Sequence, residues 1–187
     1  MNLPNKLTIL RLIMIPIFIA VYFISAIPYN LILSAIIFCL AAITDFLDGY
    51  IARKYKLVTN LGKFLDPIAD KVLVAAAFII MLVPSSIGAP LLPWHACIGV
   101  SVILARELIV SGFRMVAASK GTVLAADKSG KVKTFTQDVA VVVLLVSAGI
   151  SFNPLYYFGL GLFFASVILT VISGVECLTK NASVLKD

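Results

Sequence analysis

Apolar residues run along this chain in blocks of about 20, the length an α-helix needs to cross a hydrocarbon core. Six blocks fit: Leu7–Ala26, Leu31–Ala52, Pro67–Val83, Leu92–Ala118, Val132–Ser151 and Leu155–Leu178. The pattern predicts an all-α fold, an integral membrane bundle of six transmembrane helices in a single domain over residues 1–187. The opening NLPNKLTILR carries Pro4 and Asn5 as breakers, with Asn5 or Thr8 able to cap the helix that follows. A short N-terminal interfacial segment is therefore expected ahead of the first span.

Charge gives the blocks a direction. Connections Ile27–Asn30, Pro84–Leu91 and Phe152–Pro154 contain no Lys or Arg. Basic residues gather instead at Lys6, in the connection with Arg53, Lys54, Lys56 and Lys63, in that with Lys120, Lys128 and Lys131, and in the tail at Lys180 and Lys186. By the positive-inside rule those regions are cytoplasmic, so both termini lie inside. The net charge of +6 is thus topological and calls for no nucleic acid. Composition agrees, with 61% hydrophobic and 13% charged residues against about 25% charged in soluble domains. Lys6 and Arg11 flank the start of the first block as in a signal peptide, but no small-x-small cleavage site ends it convincingly, and it is expected to remain a helix. Cys39, Cys97 and Cys177 lie in separate apolar runs without disulfide or zinc spacing, and are expected to be buried apolar residues. The single histidine, His95, sits beside Trp94 as an interfacial residue with no chemistry. Gly121–Gly130 is the one connection that reads as a mobile loop.

The stretch TDFLDGYIARKYKLVTNLGKFLDPIADK, Thr44 to Lys71, breaks this pattern by setting Asp45, Asp48, Asp66 and Asp70 against two apolar runs. A carboxylate at mid-bilayer costs roughly 2.5–3.5 kcal/mol on insertion scales, so the four need compensation. Asp45 and Asp48 are about 60° apart on one helix, with Gly49 and Ala52 on the same face. Asp66 and Asp70 are one turn apart on the next, in the expected first turns of that span. Close carboxylates raise one another's pKa, and two divalent cations would neutralise four. An all-oxygen set favours Mg²⁺ or Mn²⁺ over zinc, and two such ions form a clamp suited to phosphoryl transfer. The alternative is structural pairing with Arg53, Lys54, Lys63 or Lys71, which leaves the Gly49 and Ala52 gaps unexplained.

From Asp45 to Asp70 the chain reads D-x2-D-G-x2-A-R-x8-G-x3-D-x3-D. This spacing resembles the signature of the CDP-alcohol phosphatidyltransferase family at every fixed position. The N-terminal Asn5–Thr8–Arg11 pattern and the span count are also similar, and LPNKLTILR, NLGKFLDPIADK and ARELIVSGFR resemble its bacterial phosphatidylglycerophosphate-forming branch.

The resemblance implies that Asp45, Asp48, Asp66 and Asp70 hold two metals that bind the diphosphate of CDP-diacylglycerol, with Asp70 also the general base. It further implies that Gly49 and Ala52 leave room for the nucleotide and that Arg53 holds its phosphate. Gly62 would give a loop close approach, with Asn5 and Thr8 nearby. The family resemblance also implies a homodimer in the bacterial cytoplasmic membrane. For the acceptor, Arg106 and Arg114 in the fourth block and Lys131 and Lys133 at the start of the fifth could form a cationic pocket, which suits glycerol 3-phosphate. Against this, Arg106 could pair with Glu107 or an aspartate, and the lysines could set topology alone. Asp138 and Glu176 read as partners of these cations, and Lys71 as a snorkelling anchor or an electrostatic helper. Another acceptor within the family, inositol phosphate, serine or phosphatidylglycerol, or a divalent-cation transporter, are the competing readings.

Overall fold

Helix follows from the blocks because a backbone in lipid must satisfy its own hydrogen bonds, and a helix does so within one segment. The computed structural model describes residues 3–54, 60–120 and 128–182. Its six helices are α1 (Leu3–Phe23), α2 (Asn30–Lys54), α3 (Asn60–Met81), α4 (Ala96–Ser119), α5 (Lys128–Gly149) and α6 (Asn153–Lys180). No strand occurs among the described residues. Four helices are long and apolar enough to cross a membrane: α1 over Asn5–Phe23, α4, α5 over Ser129–Gly149, and α6. The apolar parts of α2 and α3 are shorter, Asn30–Thr44 and Lys71–Met81. Their adjoining ends carry the acidic stretch.

Two boundaries differ from expectation. The chain forms no separate interfacial segment, since α1 is continuous from Leu3. Pro4 falls in its first turn, where a missing N–H is an orphan in any helix, and Asn5 and Thr8 are buried within the helix rather than capping it. Helix α3 starts at Asn60 rather than Pro67. Asp66 and Pro67 consequently lie about two turns inside the helix, and Gly62 belongs to its first turn, not to a loop. Hydropathy marks where lipid begins, whereas a helix continues through polar residues until something stops it. Of the expected loop Gly121–Gly130, residues 121–127 lie outside the described residues, and α5 begins at Lys128. The cysteines are all free, but only Cys177 is buried; Cys39 is half-buried and Cys97 is exposed on α4.

Helix α1 packs on α2 and α3, α2 on α5, α5 on α6, and α6 on α4. Phe18 of α1 meets Phe38 of α2 with ring centroids 5.9 Å apart, and Phe78 of α3 meets Phe163 of α6 at 5.3 Å. Where α2 crosses the end of α5, a Cβ on Gly149 would stand 2.6 Å from Ile32 Cγ1, so the approach requires glycine. Outside, large apolar side chains such as Ile13, Ile17, Leu108, Ile109, Ile168 and Ile172 are exposed, while Arg11, Lys133, Gln137 and Thr170 are buried. That inversion of the soluble pattern fits a lipid solvent, in which packing and interhelical hydrogen bonds, not apolar burial, hold helices together.

One pole is tied by Asn30. Its Nδ2 donates to the carbonyls of Val21 (3.1 Å) and Tyr22 (3.0 Å), which end α1 without helical partners, and it also meets Ser86 Oγ at 2.7 Å, from the α3–α4 connection. The Ser86 hydroxyl donates in turn to Asn30 Oδ1 at 3.0 Å. Replacing Asn30 with alanine leaves buried carbonyls unsatisfied, and thermal unfolding in detergent should show a loss of about 1–3 kcal/mol.

Candidate active site

The acidic stretch occupies the α2 and α3 ends nearest their mutual connection. Asp45, Asp48, Gly49, Ala52 and Arg53 lie on α2, and Gly62, Asp66 and Asp70 on α3. At 1.5 Å per residue, Asp48 and Asp45 sit about 9 and 13.5 Å from the end of α2, and Asp66 and Asp70 about 9 and 15 Å from the start of α3. The backbone therefore sets the four at matched depths on two touching helices. The side-chain placements of these eight residues lie outside the described part of the structure. Among the described residues, no group of three or more His, Cys, Asp or Glu is placed to hold a metal.

Against this end of α2, α1 presents a polar stripe that sequence reasoning saw only in part. Asn5, Thr8 and Arg11, spaced by three, are all buried, with Arg11 and Thr8 fully so. Arg11 reads in the sequence as the flank of a span, yet it is among the largest fully buried side chains in the chain. Its Nε–H donates to the Ala41 carbonyl on α2 at 3.2 Å, and the Thr44 hydroxyl donates to the same oxygen at 2.6 Å. Ala41 stands one helical turn ahead of Asp45. Arg11 thus fastens α1 to the turn of α2 that precedes Asp45. A charged residue inside an apolar block is the signal that marks it.

The expected cationic pocket divides. Arg106 of α4 meets Glu107 Oε1 through Nη1 at 3.2 Å and donates through Nη2 to Ser173 Oγ of α6 at 3.0 Å. Lys133 of α5, 3% exposed, makes an ion pair with the same Glu107 oxygen. Arg106 and Lys133 are therefore brought together through Glu107; the Arg106–Glu107 pair is the one the alternative foresaw, whereas the buried Lys133 does more than that alternative allowed. Arg114 and Lys131 are exposed and join no hydrogen bond or ion pair among the described residues. Lys131 and Lys133 are about 200° apart on α5, which puts them on opposite sides. Below Lys133, Gln137 Nε2 donates to Thr170 Oγ1 at 3.3 Å, extending a buried polar seam between α5 and α6. Glu176 serves neither Arg106 nor the two expected lysines: it pairs with Lys180 and accepts from Ser129 Oγ at 2.7 Å. The exposed His95 ring stacks on Phe164 with centroids 6.1 Å apart.

A helical membrane bundle with a D-x2-D-G-x2-A-R-x8-G-x3-D-x3-D segment across two touching helices defines a class, and the chain belongs to it: residues 1–173 match the CDP-alcohol phosphatidyltransferase family. Among individual proteins it is similar to the CDP-diacylglycerol–glycerol-3-phosphate 3-phosphatidyltransferase of Bacillus subtilis, 41% identical over 99% of this chain and 97% of that one. Proteins of the same name from Rickettsia bellii (42% identical, 92% of this chain and 91% of the relative) and Salmonella typhimurium (38%, 100% and 98%) are similar along nearly their whole lengths.

Because the Arg11 side chain is fully enclosed, its geometry should be exacting. Arg11→Lys keeps the charge but removes the Nε donor to Ala41, and thermal unfolding in detergent should register about 1–3 kcal/mol of lost stability.

Proposed function

We propose that this chain transfers the phosphatidyl group of CDP-diacylglycerol to sn-glycerol 3-phosphate, giving phosphatidylglycerophosphate and CMP. The observation that carries the reading is the end-to-end similarity to three relatives bearing that activity in their name. The cationic cluster at Arg106 and Lys133 supports a phosphorylated acceptor.

In this reading Asp45, Asp48, Asp66 and Asp70 would hold two Mg²⁺ or Mn²⁺ ions, which an all-carboxylate donor set suits, and their similar distances from the adjoining ends of α2 and α3 support it. When bound, the ions neutralise the diphosphate and the charge that develops on it during displacement. Gly49, Ala52 and Arg53 receive the nucleotide, with Gly62, Asn5 and Thr8 at its margin. Asp70 takes the proton of the acceptor hydroxyl as that oxygen forms its bond to the lipid-bearing phosphorus. The bond from that phosphorus to the CMP oxygen breaks, and CMP leaves with the electron pair. Arg106 and Lys133 draw in the acceptor phosphate with Arg114 of the same helix as Arg106, while Lys131, on the far side of α5 from Lys133, adds only long-range positive charge. Diacyl tails remain in the bilayer, which is why the acidic site belongs at a membrane edge.

The same reading makes residues 1–187 one domain of six spans, counting α2 and α3 with the four long apolar helices. By the distribution of Lys and Arg, both termini and the acidic site face the cytoplasm of a bacterial cell, and the protein works as a homodimer.

Purified protein with Mg²⁺ or Mn²⁺ should release CMP from CDP-diacylglycerol only when glycerol 3-phosphate is added, and chelation should stop it. An acceptor panel including serine and inositol phosphate tests the choice of acceptor. Asp70→Asn should lower kcat by about 10²-fold or more, in the range of general-base catalysis; full turnover in that variant would remove Asp70 as the base. Arg114→Ala should raise the KM for glycerol 3-phosphate more than that for CDP-diacylglycerol.

A further inference from the structure

The buried stripe of α1 changes character partway along its length. Ile15, Phe18, Val21 and Tyr22 are buried toward the Asn30 pole, whereas Asn5, Thr8 and Arg11 are buried toward the other. Helix α2 changes at a matching level, for its apolar part ends at Thr44, three residues past the carbonyl that Arg11 reaches. The two helices run in opposite directions, since Phe18 meets Phe38 while Arg11 meets Ala41. Counting from the Arg11–Ala41 contact at equal rise, Thr8 comes level with Thr44 and Asn5 with Leu47, so the polar stripe runs alongside the backbone of Asp45 and Asp48. Arg11 stands at the border between the apolar half of the α1–α2 interface and the half that contains the acidic segment.

What Arg11 holds at that border is a crowded backbone oxygen. Its Nε–H donates to Ala41 O at 3.2 Å, and the Thr44 hydroxyl donates to the same atom at 2.6 Å. In an α-helix that oxygen also receives the N–H four residues on, here the N–H of Asp45. A carbonyl has two lone pairs, so three donors compete for them. Side chains that enter the helical ladder in this way loosen the intrahelical bond and bend the helix locally. The turn affected is the one that leads into Asp45. An arginine that served packing alone would be equivalent to any anchor of similar strength, such as Asn30 at the opposite pole.

We infer that Arg11 is a positioning residue for divalent-cation binding: through the Ala41 carbonyl it sets the pitch of the α2 turn that leads into Asp45, with Thr44 acting on the same oxygen. Arg11 works through the backbone and is not itself a ligand. The inference rests on the reading that Asp45, Asp48, Asp66 and Asp70 hold Mg²⁺ or Mn²⁺.

The test is Mn²⁺ binding by the full-length protein in detergent micelles containing CDP-diacylglycerol, read as loss of the electron paramagnetic resonance signal of free Mn²⁺, with no acceptor present. Arg11→Lys should weaken Mn²⁺ binding about tenfold, the lower end of what partners of metal ligands contribute. Thr44→Val keeps the branched shape without the hydroxyl and should weaken binding severalfold. The double variant should fall short of the product of the two effects, because both act through one oxygen. Asn30→Ala, which should lower the unfolding midpoint comparably, should leave Mn²⁺ affinity within about twofold of the parent. In CMP release, Arg11→Lys should regain turnover as Mn²⁺ is raised. A lowered unfolding midpoint in Arg11→Lys with parental Mn²⁺ affinity would make Arg11 structural only and overturn the inference alone, as would an equal loss of affinity in Asn30→Ala. If Arg11→Lys does not fold, Thr44→Val decides, and parental affinity there overturns the inference. Mn²⁺ uptake by Asp45→Asn equal to that of the parent would instead remove Asp45 as a ligand and overturn the underlying reading and the inference together.

Discussion

Charge enclosed by a bundle whose outside is oil is the constraint on which the rest of this structure depends. In a soluble protein a misplaced arginine can turn to water, and the loss is modest. Here the exposed faces of α1, α4 and α6 carry residues such as Ile17, Leu108 and Ile168, so a buried ion must find its partner inside. Arg11 is fully enclosed and reaches the Ala41 carbonyl; Lys133 and Arg106 reach Glu107. Each contact joins different helices or sets the side chain that does. Interhelical order in this chain is therefore concentrated at the residues with the most chemistry to offer.

The six helices were legible in the sequence because an apolar block in lipid must be helical, although among the described residues only α1, α4, α5 and α6 are long and apolar enough to cross. Helix ends were less legible for a specific reason. Hydropathy reports the lipid boundary, and the backbone of α1 and α3 continues past it, through Leu3–Lys6 and Asn60–Asp66. The apparent breaker Pro4 misled for the same reason. Proline stops a helix only where the backbone would need its N–H, and in the first turn that need is absent.

Site residues split along a similar line. The acidic segment was legible because its spacing of three and four residues is a local property of a helix face, and the family match extends it to residues 1–173. Arg11 was misplaced as a flank, since a charge near the start of an apolar run normally snorkels to the interface. What buries it is the packing of α1 on both α2 and α3, which no local pattern encodes. Lys131 and Lys133 could have been separated in advance, because two residues apart on a helix means nearly opposite directions. That Lys133 would meet Glu107, 26 residues away on a helix that packs elsewhere, depends on α6 holding α4 and α5 at a set distance.

The register of α2 against α5 connects the acidic and basic groups. Ile32, near the start of α2, lies over Gly149, the last residue of α5. The two helices pack together with opposite direction, so a step forward on α2 matches a step back on α5. Counting from that contact at equal rise, Asp45 falls level with Thr136 and Asp48 level with Lys133. The glycine that permits close approach at one pole thereby sets which residues of α2 and α5 lie level at the other. For the proposed reaction, in which a diphosphate held by acids would meet a phosphate held by bases, equal depth on adjoining helices is the first geometric requirement. A slip of one turn between α2 and α5 would separate the two by about 5.4 Å, more than a phosphate group can span. The packing of α2 on α5 thus fixes the register between the two segments through the backbone.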